Sequence, residues 1–149
     1  MMCSDSLLIA SAVCSILVAL LHVYVIARGA PAYRFFGAGE RLASLAERGS
    51  WVPALLASGI TFAFFAFAAY YLAAAGVMPK PPYLSLGLIV IAALYTLRGA
   101  LVIPAWFFGK TLSSFDIGSS LISLAIGLLH VAAAWAYFGR APAPLDWFY

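Results

Sequence analysis

Charged residues are scarce in this 149-residue chain, which contains eight Lys or Arg and five Asp or Glu. They make up 9% of the sequence, whereas soluble domains carry about a quarter. Hydrophobic residues account for 66%. This composition excludes a water-soluble domain and is typical of a membrane protein. No polar stretch is long enough to form a soluble catalytic module beside the membrane domain.

Cysteines and intramembrane carboxylates are also few. Cys3 and Cys14 would lie about 16 Å apart along a helix, which is beyond disulfide reach. No acidic residue occurs between Asp5 and Arg28, and this lack argues against the proton-coupled design of small multidrug exporters. The chain also has no nucleophile elbow, no Gly-rich phosphate loop and no cluster of metal ligands, so its sequence does not indicate an enzyme.

The net charge of +3 does not indicate a nucleic-acid partner. A surface that follows a phosphate backbone needs clustered basic residues. The Lys and Arg residues of this chain are instead scattered singly along the sequence. We therefore expect no nucleic acid among the partners.

Four apolar segments are each long enough to cross a bilayer, for which about 20 residues are needed. They run from Ser6 to Ala27, from Trp51 to Ala75, from Leu84 to about Phe108, and from Ile117 to Phe138. The sequence therefore predicts an all-α membrane protein, with residues 1–149 forming a single integral membrane domain built as a four-transmembrane-helix bundle.

The first loop contains a pattern typical of a short amphipathic helix. In AGERLASLAER, a set of small and apolar residues shares one helical face: Ala38, Leu42, Leu45 and Ala46. Gly37, Gly39 and Gly49 bracket this segment as helix breakers. The pattern predicts a short helix in the membrane interface. A charged, solvated loop is the alternative.

The distribution of basic residues predicts the orientation in the membrane. The first and third loops contain five Lys or Arg: Arg28, Arg34, Arg41, Arg48 and Lys110. The opposite side carries only Lys80 and Arg140. By the positive-inside rule, the first and third loops are cytoplasmic and both termini lie outside. The tail Trp147-Phe148-Tyr149 then serves as an interfacial anchor.

Polar residues inside the apolar segments are candidates for a functional site, because each costs free energy in lipid. Arg98 is the strongest of them, and His22 is expected at a similar depth on the first span. Further polar side chains are expected at that level, namely Ser119, Ser120 and Ser123 of the fourth span and Tyr95 of the third. Pro104 cannot donate to the carbonyl of Ala100, so a kink is expected there.

Asp116 has two possible uses at the start of the fourth span. It can form a capping box with Ser113, or it can act as the counter-ion of Arg98. The polar layer as a whole also has two interpretations. It is either a set of helix contacts, or the lining of a cavity that is open to the cytoplasmic leaflet and binds a quinone or an acidic lipid. We favour the cavity, because helix-to-helix polar contacts contribute only about 0.6 kcal/mol each.

The first and last spans each contain the motif LLHV, which includes His22 and His130. The pair raises the alternative of bis-histidine coordination of haem b. Their depths differ by about 9 Å across a core of about 30 Å, and this offset argues against haem because axial ligands lie nearly at one level. In the fourth span, Ser119, Ser123 and Gly127 also form a stripe of small residues that predicts close helix packing.

RGALVIP, followed by SSFDIGSSLISLAIGLLH, resembles the last two spans of small four-helix bacterial inner-membrane proteins. The overall plan is similar to that of DoxX-like proteins. The resemblance covers about half of the chain, implies a bacterial inner membrane, and brings no assigned catalytic residues.

Three functions remain open at this point. The first is a non-enzymatic membrane protein, either an accessory subunit of a larger membrane complex or a binder of a lipid or quinone. The second is a redox or haem protein that uses His22 and His130, and the third is a small transporter that must form a homo-oligomer.

Overall fold

The computed structural model describes residues 2–108 and 112–140, and these residues form helices joined by turns, without strands. The helices are α1 Met2–Arg28, α2 Ala30–Phe35, α3 Glu40–Glu47, α4 Val52–Ala74, α5 Leu84–Ala100, α6 Val102–Phe107 and α7 Ser114–Phe138. The aromatic tail that was predicted to anchor the C-terminus, and Lys110 of the third loop, lie outside the described residues.

Four helical segments are long and apolar enough to cross a membrane: Asp5–Arg28, Val52–Ala74, Leu84–Pro104 and Ser114–Phe138. This finding confirms the all-α class and indicates a multi-pass membrane protein, consistent with the predicted four-helix bundle. The first two segments agree with the predicted spans within one or two residues.

The third span differs from the prediction of one helix reaching Phe108. Helix α5 ends at Ala100, a turn follows at Leu101, and α6 begins at Val102. The interruption lies near Pro104, which has no N–H to donate to the carbonyl of Ala100, and the kink expected there stays a prediction. The membrane-length segment accordingly ends at Pro104.

The described residues divide into two compact units, Met1–Cys14 with Phe67–Tyr149, and Ser15–Ala66. We call the first the α5–α7 unit and the second the loop unit.

In the α5–α7 unit, the antiparallel helices α5 and α7 lie in close contact through glycines. A Cβ on Gly127 would stand 2.6 Å from the backbone nitrogen of Thr96, and a Cβ on Gly99 would collide with the backbone of Leu124. The small-residue stripe of the fourth span is thus a packing surface at Gly127.

The loop unit contains α2 and α3, which pack around a core of small side chains. Its buried members are Val25, Ala30, Ala32, Tyr33, Ala43 and Ala57. The predicted short helix is confirmed as α3, flanked by Gly39 and Gly49, which have φ angles of +94° and +74°. Sequence reasoning missed α2, although Pro31 next to its first residue is a known helix-start signal.

Candidate functional site

Arg98 lies near the end of α5 and reaches across to α7. Its Nη1 donates to Oγ of Ser120 over 3.1 Å, and its Nη2 lies 3.4 Å from Oγ of Ser119. Ser120 is buried, whereas Arg98 is exposed on the surface of the protein. We call these three residues the Arg98 cluster. The structure thus brings Arg98 together with Ser119 and Ser120, two of the three serines expected at its depth.

The depth of the cluster follows from the helix lengths. Arg98 precedes the end of the third membrane-length segment at Pro104 by six residues, or about 9 Å of helical rise. Ser119 and Ser120 follow the start of α7 by a similar distance. The guanidinium therefore lies within reach of the lipid head groups on that side of the membrane.

Asp116 forms the expected capping box at the start of α7. Oγ of Ser113 accepts from the backbone nitrogen of Asp116 over 3.1 Å, and the Asp116 carboxylate accepts from the backbone nitrogen of Ser113 over 3.0 Å. No ion pair joins Asp116 to Arg98 within residues 2–108 and 112–140. The second use of Asp116, as the counter-ion of Arg98, stays a prediction.

The remaining predicted site residues of the α5–α7 unit lie in two places. Ser123 is half-buried on α7, one turn beyond Ser119. Tyr95 is buried instead, and its ring centroid lies 4.7 Å from that of His130. Tyr95 therefore belongs to a second group of side chains in the interior of the unit, which we call the His130 cluster.

The His130 cluster consists of His130, Tyr95 and Tyr71. The ring centroids of Tyr71 and His130 are 4.5 Å apart, and both side chains are fully buried. The Tyr71 hydroxyl lies 3.1 Å from the carbonyl of Leu88 and 3.2 Å from that of His130, so it links α4 to α5 and α7. Sequence reasoning missed this role of Tyr71, because its partners lie 17 and 59 positions away.

Each histidine contacts the backbone carbonyl four residues earlier in its own helix. Nδ1 of His22 lies 2.8 Å from the carbonyl of Val18, and Nδ1 of His130 lies 2.8 Å from that of Ile126. A carbonyl oxygen only accepts, so Nδ1 is the donor in each ring. His22 also packs on Phe64, with ring centroids 5.1 Å apart. His22 belongs to the loop unit and Arg98 to the α5–α7 unit, so the predicted layer that joins them stays a prediction.

A network of charged residues holds the loop unit together. The Arg34 guanidinium of α2 contacts Glu40 at 2.7 Å and Glu47 at 2.6 Å, both on α3. These hydrogen bonds lower the pKa of both carboxyl groups and raise the pKa of Arg34. Arg34 is thereby committed to the two glutamates. Nothing in the sequence pattern alone showed which of the loop arginines would be paired.

Within the described residues, no group of three or more His, Cys, Asp or Glu side chains is placed to hold a metal ion. Cys14 is a free, half-buried thiol. The polar chemistry of the Arg98 cluster is that of a guanidinium and two hydroxyl groups, which bind anions and other hydrogen-bond acceptors.

No family model matches this chain, and neither a curated protein nor a solved structure matches it. A function for the chain must therefore be inferred from the chemistry and position of the Arg98 cluster.

Proposed function

We propose that the protein is a non-enzymatic integral membrane protein that binds the head group of an acidic amphiphile at the Arg98 cluster. The observation that carries the proposal is the exposed guanidinium of Arg98, which is held against α7 by the hydroxyls of Ser119 and Ser120. An anionic lipid is the ligand that this chemistry suits best.

The charge on Arg98 supports this choice. An Arg inside a membrane segment is costly unless a counter-charge or water accompanies it. In the described part of the chain, Arg98 donates hydrogen bonds to two hydroxyl groups and forms no ion pair. The Asp116 carboxylate interacts with Arg98 electrostatically, but it accepts its hydrogen bonds from Ser113. A phosphate or carboxylate head group would supply a negative charge in direct contact with Arg98 and use the remaining N–H donors of the guanidinium.

The position of the serines also favours a ligand over a purely structural contact. Their hydroxyls hold two terminal nitrogens of the guanidinium and restrict its rotation. A positioned guanidinium loses less conformational freedom when it binds a planar or tetrahedral anion. Ser123 is proposed as a further polar group of the site, and the acyl or isoprenoid tail would lie along the apolar surface of the helices.

Haem binding is a second candidate, because the contacts to Val18 and Ile126 favour the tautomer in which Nε2 carries the lone pair in both histidines. Coordination of a haem iron requires an accessible Nε2 atom, however, and the His130 side chain has no exposed surface. The absorption spectrum of the purified protein tests this candidate directly. A haem band that disappears in both His22→Ala and His130→Ala would favour it over the amphiphile.

We further propose that the protein lies in a bacterial inner membrane with both termini outside. The excess of basic residues in the first and third loops supports this orientation. The resemblance of the last two spans to small four-helix bacterial inner-membrane proteins supports the location. In that orientation, the Arg98 cluster faces the cytoplasmic leaflet.

Native mass spectrometry of the full chain, released from nanodiscs, tests the proposed function. We expect retained phosphatidylglycerol on the wild type, loss of one bound lipid in Arg98→Ala, and no change in Arg41→Ala. Arg41 is the matched control because it is exposed and has no ion pair among the described residues. Equal retention in both variants would overturn the proposal. Loss of a bound protein subunit instead of a lipid would favour the accessory-subunit function.

A further inference from the structure

An open pocket lies at the junction of α1 and α2, entirely within the loop unit. Its volume is about 370 Å³, and it is lined by Tyr24, Arg28, Pro31, Ala32, Phe35 and Phe36. Gly29 separates the two helices with a φ of +68°, a conformation that a side chain would strain. The sharp turn at this glycine places the start of α2 beside the last turn of α1 and so forms the pocket.

Three aromatic rings form the apolar part of this pocket. The ring centroids of Tyr24 and Phe36 lie 6.4 Å apart, and those of Phe35 and Phe36 lie 5.0 Å apart, both in edge-to-face geometry. Phe35 is 70% exposed although it belongs to a helix that contributes buried residues to the core. Aromatic side chains at the end of a membrane span are typical of the head-group level.

The residues that line the pocket carry a positive charge and no negative charge. Arg28 is the single cation among the lining residues, and none of them is acidic. Within residues 2–108 and 112–140, its guanidinium makes no ion pair, whereas the nearby Arg34 is held by Glu40 and Glu47. The described part of the chain therefore leaves the charge of Arg28 without a partner.

The position of Arg28 identifies the class of ligand. Arg28 is the last residue of the membrane-length segment Asp5–Arg28, so it lies where the hydrocarbon ends and the head groups begin. At that level, the anion available in quantity is a lipid phosphate, and a lipid also brings a glycerol and upper acyl region that suits aromatic walls. We propose that this pocket binds one anionic phospholipid, with its phosphate on Arg28 and its upper chain against Tyr24, Phe35 and Phe36.

The pocket shares no residue with the Arg98 cluster, so it can be tested separately. A photoactivatable phosphatidylglycerol, incorporated into nanodiscs with the full chain, should cross-link to residues 24–36. We expect Arg28→Gln to lower the yield of that adduct about fivefold, since one basic residue near a membrane surface contributes about that factor. Arg41→Gln, a loss of the same charge on exposed α3, should leave the yield unchanged.

Two further measurements separate a pocket from diffuse charge attraction. Phe35→Ala should lower the adduct at residues 24–36 without any change of charge. Unlabelled phosphatidylglycerol should compete for the site, and phosphatidylcholine should not. Equal losses in Arg28→Gln and Arg41→Gln, or competition by inorganic phosphate alone, would overturn the proposal. An adduct on residues 98–120 reports on the Arg98 cluster independently, so failure of one site is distinguishable from failure of the other.

Discussion

A Cβ atom on Gly127 of α7 would stand 2.6 Å from the backbone nitrogen of Thr96 on α5. Contacts this short do not occur with real side chains, so the two helices can approach this closely only because residue 127 has none. Small residues have this role in membrane helix pairs, where close packing rather than water exclusion drives association.

We predict that Gly127→Ala destabilises the protein. The helices must separate to admit the methyl group, and overpacking of this kind costs about 1–3 kcal/mol. The measurement is the unfolding free energy in a detergent titration followed by circular dichroism. Gly118→Ala is the control on the same helix, since no atom lies within 4 Å of its added Cβ and alanine favours the helix by about 1 kcal/mol. Equal effects of the two changes would contradict the prediction.

The second prediction about stability concerns substitutions of Tyr71. Tyr71→Phe removes a hydroxyl shared by the carbonyls of Leu88 and His130, and should cost about 1 kcal/mol. Tyr71→Ala also empties a fully buried site and should cost about 3–5 kcal/mol. The same detergent titration measures both. A Phe variant as unstable as the Ala variant would show that the hydroxyl, rather than the ring, dominates the contribution of Tyr71.

The parts of this structure that sequence reasoning predicted correctly depend on short-range patterns. The break in the third span lies three positions before Pro104. Ser113 caps α7 by accepting from the backbone nitrogen of Asp116, three positions later. The number of membrane-length spans and the bounds of the first two follow from apolar runs, and α3 follows from glycines at its two ends. Such features are determined by backbone chemistry that neighbouring residues already specify.

The features that sequence reasoning missed depend on which helices pack against each other. Arg98 was recognised as unusual, and three serines of the fourth span were expected at its depth, but its contacts with Ser119 and Ser120 follow only from the packing of α5 on α7. Tyr95 was expected near Arg98 because both lie on one turn, and its ring instead packs inward on His130. Residues three apart on a helix can thus belong to different environments, and no periodicity chooses between two such neighbours.

The pairing of Arg34 with Glu40 and Glu47 predicts a pH dependence of the packing of α3 on α2 in the loop unit. The hydrogen bonds from Arg34 hold the pKa of each glutamate below its ordinary value of about 4.3. A carboxyl group with a lowered pKa in the folded state stabilises the fold above its unfolded pKa, and this contribution disappears as the pH falls through the folded pKa. The packing of α3 on α2 should therefore loosen below about pH 4.3.

Hydrogen exchange at residues 40–48, compared with residues 88–96 of α5, measures this effect. Protection of α3 should fall with decreasing pH after correction for the intrinsic exchange rate, while protection of α5 stays constant. In Arg34→Gln, the protection of α3 should be lower at neutral pH and should change less with pH. A wild-type profile as flat as that of the variant would show that the Arg34 network does not stabilise the loop unit.

The orientation in the membrane is the last prediction, and it decides which leaflet the Arg98 cluster and the Arg28 pocket face. Ala38 in the first loop and Met78 in the connection between α4 and α5 are both exposed, so a cysteine at either position is accessible from its own side. In a background in which Cys3 and Cys14 are replaced by Ser, a membrane-impermeant maleimide applied to intact cells should label Met78→Cys and spare Ala38→Cys until the cells are lysed. This orientation follows from the positive-inside rule, because the first and third loops carry five basic residues and the opposite side carries two. Labelling of Ala38→Cys in intact cells would reverse the orientation, and both proposed anion sites would then face the outer leaflet.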